Sequence, residues 1–167
     1  VAMRAAFTVF ALSCTIVMAY AQSAPPAASE PTGTLQQVMQ GILYPNSNVI
    51  FDAQEADPGA AEGMYSGWIG VENAGIALAE AADLIMKPGR VCSNGTPVPV
   101  ESEDWIRFAE GLRAAGGATL AAAQAKDQDQ VIEVTGNVAE ACYVCHEVYR
   151  DAGAAGSPER CVPAPPL

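Results

Sequence analysis

VIEVTGNVAEACYVCHEVYR, residues 131–150, carries the clearest architectural signal in the chain. Val131, Val134, Val138, Cys142, Cys145 and Tyr149 recur at intervals of three and four, the spacing of one face of an α-helix. Nothing in it alternates as a half-buried strand does. It predicts a last helix that begins around Asp127 to Asp129 and ends near Ala152.

The same period recurs earlier in the chain. Ser102 is a suitable N-cap with acidic residues behind it, and Trp105, Phe108, Ala109, Leu112, Gly116 and Leu120 predict the buried face of a third helix. Trp68, Val71, Gly75, Leu78, Ala82 and Ile85 predict a second helix from about Ala61 to Met86, closed by Pro88-Gly89. A first helix is expected from Thr32 or Thr34, with Leu35, Val38, Met39, Ile42 and Leu43 together and Val49, Ile50 and Phe51 beyond. Pro45 should kink or interrupt it, because it lacks an N–H and its ring meets the carbonyl four residues earlier. Residues 89–100 are rich in Pro, Gly, Ser and Asn and are expected to be a loop. Long helices with short connections predict an all-α fold, an antiparallel up-down-up-down four-helix bundle.

The ends carry other signals. Arg4, an apolar run over residues 5–18 and the small-residue site Ala19-Tyr20-Ala21 predict a signal peptide over 1–21, with the periplasm as destination. An uncleaved membrane anchor is the alternative reading. Residues 22–31 are expected to be a flexible linker, 32–152 the domain and 153–167 a Gly/Pro-rich tail. The formal charge of −11 argues against nucleic acid and against an anionic membrane as partner. No membrane association is expected once the signal is removed.

Cys142-Tyr143-Val144-Cys145-His146 is C-x-x-C-H, the attachment signature of c-type haem. Two thiols three residues apart on a helix reach the two vinyl groups of one porphyrin, and the following imidazole turns toward the iron from the same side. A zinc site would need further Cys or His ligands, and His146 is the only histidine in the chain. One covalently attached haem c is therefore expected, on Cys142 and Cys145, with His146 as axial iron ligand.

The motif stands late in the chain and continues as Glu147-Val148-Tyr149-Arg150. C-x-x-C-H-x-x-Y-R at the end of an alanine-rich four-helix pattern resembles the class II cytochromes c, the cytochrome c′ family, over roughly residues 34–151. Trp105, early in the third helix, adds to the resemblance. It implies haem near the C-terminal end of the last helix of a bundle that is often a homodimer.

In such a bundle Met39, about two turns into the first helix, stands at the height of His146 and is a candidate second axial ligand. By resemblance, a methionine there goes with a six-coordinate electron carrier. An apolar residue there goes with a five-coordinate iron that binds small gases such as NO. Met39 as core packing, with Val38 or Ile42 covering the iron, is the alternative. Met64 and Met86 are not placed near the iron by anything in the sequence. Outer-sphere electron transfer with redox partner proteins is the expected task. The sole histidine is already used, so no residue argues for an enzyme.

The same geometry brings the loop holding Cys92 to the tail holding Cys161, and a disulfide between them is expected, with two free thiols as the alternative. Arg150 is a candidate contact for a haem propionate or else a solvated cation. Trp68 and Trp105 are expected to be core or haem-wall aromatics.

Overall fold

Local chemistry marks where each helix starts. Thr34 opens the first one with a capping box: the Gln37 N–H donates to the Thr34 hydroxyl and the Thr34 N–H donates to Gln37 Oε1 at 2.8 Å. The chain then runs as α1 (Leu35–Val38), a π-helical turn (Met39–Leu43) and α2 (Tyr44–Glu55), which make one rod. The computed structural model describes residues 29–151 together with Cys161. The expected signal peptide over 1–21, the linker up to residue 28 and the tail other than Cys161 lie outside the described residues.

The disturbance expected at Pro45 takes the form of the π-helical turn just before it, and the helix continues beyond it. Pro45 stands in the first turn of α2 directly after helical residues, and so gives no N–H to Gly41 O. The wider turn just before it absorbs the steric conflict, with the Tyr44 N–H donating to Met39 O, five residues back. The Asn46 side chain donates to Ile42 O at 2.7 Å.

Asp57 caps a short 3-10 turn, Pro58–Ala60, by accepting from the Gly59 N–H at 2.7 Å. The next helix, α3, is Gly67–Ile85. The expected start at Ala61 is thereby corrected. Gly63 and Gly67 have φ of +126° and +61°, conformations that break a helix, and a Cβ on Gly67 would collide with Pro58 O. Met64 therefore lies in an exposed loop before α3.

Helix α4 is Glu103–Ala125 and α5 is Gln128–Tyr149. Lys126 at φ 54° turns the chain sharply between them, and Asp127 caps α5 by accepting from the Gln130 N–H at 3.0 Å. Helix α5 ends at Tyr149, three residues short of the expected end.

Among the described residues, four helical rods pack against one another. The α3–α4 contact is the most extensive, α4 also packs on α5, and α2 touches both α3 and α5. Small residues bring α3 and α4 close: a Cβ on Gly75 would come within 2.7 Å of Leu120 N, and one on Gly116 within 2.7 Å of Gly75 O. The main core gathers Ile50, Leu78, Trp105, Phe108 and Val138. A second cluster gathers Ala53, Val71, Ala122 and Val131 at the opposite end. Among the described residues there is no strand, only an isolated bridge between Val91 and Pro97, and no helix is long and apolar enough to cross a membrane.

Candidate functional site

A cavity of about 700 Å³ lies between the first rod and α5. Leu35, Met39, Leu43 and Phe51 form one wall, Trp105, Phe108 and Leu112 the back, and Cys142, Cys145, His146 and Tyr149 the other wall. Because α5 repeats every 3.6 residues, Cys142, Cys145 and His146 at i, i+3 and i+4 share the face turned inward.

Helix α4 holds that face in place. Trp105 is 1% exposed and its indole N–H donates to Ile85 O at 3.3 Å. The Trp105 and Tyr149 rings meet edge to face at 4.8 Å, and the Phe108 and Tyr149 rings at 6.2 Å. The hydroxyls of Tyr149 and Ser102 lie 3.2 Å apart. Tyr149 is thus fixed one turn beyond Cys145 and His146, and the motif cannot roll about its helix axis. Trp68 sits with the second cluster, away from the cavity.

Cys92 and Cys161 are joined by a disulfide with their Cα atoms 5.9 Å apart, and both line the cavity. The Cys161 N–H donates to Tyr149 O at 2.6 Å, so the bridge ties Cys161 and the loop before α4 to the end of α5.

Cys142 and Cys145 are free thiols. Burial raises both; Cys145 is pushed up to about 12, first by burial and then by Cys142 beside it. The thiols are protonated at neutral pH. The His146 imidazole is held below its ordinary value, first by burial and then by the Arg150 cation, with Asp151 opposing. A neutral ring is the form that binds a metal. Arg150 Nη1 lies 3.0 Å from His146 Nδ1, while Arg150 Nε and Nη2 donate to the Asp151 carboxylate at 2.7 and 2.9 Å. Among the described residues no three His, Cys, Asp or Glu side chains are arranged to hold a metal ion, so Cys142, Cys145 and His146 make no zinc-type cage by themselves.

The structure therefore brings Met39, Cys92, Cys142, Cys145, His146, Arg150 and Cys161 to one cavity. Met64 and Met86 do not line it. Trp105, expected as a core or haem-wall aromatic, lines the cavity too, whereas sequence reasoning did not assign Phe51 or the exposed tyrosines Tyr44 and Tyr143 to it. One signal was present: residues 31–51 carry no charge in a strongly acidic chain. No family model, curated protein or solved structure matches this chain.

Proposed function

We propose that this chain is an exported monohaem c-type cytochrome of the class II kind, a periplasmic electron carrier on an up-down-up-down bundle. The observation that carries the reading is the shared cavity: two free thiols and an imidazole on one wall, a thioether on the wall opposite. Antiparallel neighbours are supported by pairs at both ends. Trp105 reaches Ile85 while Gly75 lies against Leu120, and Tyr149 meets Trp105 while α4 turns into α5 at Lys126. Gln128 donates to Ala53 O, and Met39 lines the same cavity as His146.

The donor set fits haem. The cavity is of cofactor size and largely apolar, and the two thiols stand at thioether spacing on the same helix face as the histidine. Haem bound there supplies a one-electron iron couple. Cys142 and Cys145 would anchor it, His146 and Met39 would hold the metal, and Arg150 at the mouth would take a propionate. Leu35, Leu43, Phe51, Phe108 and Leu112 exclude water from the ring, and a thioether ligand raises the potential. With His146 and Met39 both held by the metal, the site would leave no place for a substrate and would suit outer-sphere electron transfer.

A second reading rests on the same wall. With Met39 turned aside, Leu35, Leu43 and Phe51 would leave an apolar sixth position suited to NO. The optical spectrum of haem-matured protein, wild type beside Met39→Ala, separates the two. A low-spin ferric spectrum with a methionine–iron charge-transfer band that the variant lacks is expected. A high-spin wild-type spectrum that responds to NO overturns Met39 ligation and favours gas binding.

A further inference from the structure

The π-helical turn stands at the cavity, and it determines which side chains of the first rod face inward. After the turn, Tyr44, Ser47, Asn48 and Phe51 line the cavity. Successive residues of an α-helix are about 100° apart, so these four span a sector of about 100°. Continuing a regular α-helix backward from them puts Gln37 and Gln40 within about 30° of the sector's centre, with Met39 about 130° away. From the start of the rod through the turn, the residues that line the cavity are instead Leu35, Gln36, Met39, Gln40 and Leu43.

The lining is offset by one residue. A π-turn holds one residue more than an α-turn, which rotates the preceding segment by about 100° relative to α2. That rotation brings Met39 to within about 30° of the centre and carries Gln37 away. Gln37 is exposed and engaged in the capping box with Thr34.

We propose that this turn, held open by Pro45, is a positioning element that presents the Met39 thioether rather than the carboxamide of Gln37 to the face opposite His146. The inference rests on the haem reading above. Pro45 offers no N–H to Gly41 O, and its ring would clash with that carbonyl in a regular helix. The Tyr44 bond to Met39 O and the Asn46 bond to Ile42 O satisfy carbonyls in the widened turn. Gly41 is exposed, and nothing lies within 4 Å of where its Cβ would be, so the residue in excess can leave without loss of packing.

The test uses haem-matured full chain in three forms: wild type, Pro45→Ala, and Pro45→Ala with Gly41 deleted. Pro45→Ala restores the missing donor and lets the turn close, so the methionine–iron band should fall several-fold with helix content unchanged. Deleting Gly41 in that background removes the extra residue and should bring the band back, a rescue that general destabilisation cannot give. A full-strength band in Pro45→Ala, or no recovery on deletion, overturns the proposal. If wild type itself lacks the band, Met39 ligation fails, and the positioning claim is read separately from nuclear Overhauser contacts in the ferrous protein. Contacts between the Met39 methyl and the haem ring are then expected in wild type and not in Pro45→Ala; any other pattern overturns it.

Discussion

Gly116→Ala tests the α3–α4 crossing on which the back of the cavity depends. A methyl at 116 would press on Ala79 N well inside van der Waals contact and stand 2.7 Å from Gly75 O and 3.0 Å from Ala79 Cα. All three are backbone atoms, so no rotamer change relieves the clash. Carbon contacts are comfortable at about 3.5–4.0 Å, so the two helices must part by about 1 Å. Overpacking of this kind costs about 1–3 kcal/mol, and backbone against backbone belongs at the upper end. Replacing a helical glycine by alanine returns about 1 kcal/mol. The net loss is about 2 kcal/mol, which lowers Tm by roughly 8 °C in a domain of this size. Gly117→Ala is the control, because nothing lies within 4 Å of its Cβ position. It should raise Tm by a few degrees. Thermal unfolding by circular dichroism reads both variants. A Gly116→Ala protein as stable as wild type would refute the close approach of α3 and α4.

The disulfide and the α5 cap give two more outcomes. The Cys92–Cys161 bridge spans 69 residues, and Cys161→Ser should cost up to about 4 kcal/mol in urea unfolding; an unchanged midpoint would show that the bridge is not formed. Asp127 accepts from the Gln130 N–H and its carboxyl is held below the ordinary 3.8, first by that bond. Its contribution is present above pH 3.8 and disappears as pH falls through the lower folded-state value. Asp127→Ala should therefore lower stability at neutral pH and lose less than wild type on acidification below pH 3.8, as acid titration of the unfolding midpoint would show.

The helices after residue 66 were legible because their apolar residues keep a 3.6-residue period and their caps stand in plain view, as Ser102 and Asp127 do. The start of α3 was not, since residues 61–66 have helical composition and only the backbone angles of Gly63 and Gly67 end the pattern. The π-turn was hidden for a related reason. Leu35, Val38, Ile42 and Leu43 satisfy a helical stripe with or without one extra residue, and Pro45 signals a disturbance without saying how the chain absorbs it. Of the candidate site, Cys142, Cys145 and His146 were legible as a motif, because their spacing is the chemistry. The part that Phe51, Phe108 and Leu112 play in the lining was not, because a cavity is made by what three helices leave unfilled.

The functional reading stands or falls on covalent haem at Cys142, Cys145 and His146. It is tested by the intact mass and alkaline pyridine spectrum of the full chain, coexpressed with a c-type cytochrome maturation system and extracted with acid–acetone. One haem per chain that survives extraction, reduced to a single thioether in Cys142→Ala or Cys145→Ala, is the expected result. A wild-type chain of unmodified mass, with Cys142 and Cys145 as free thiols or bonded to each other, would contradict it.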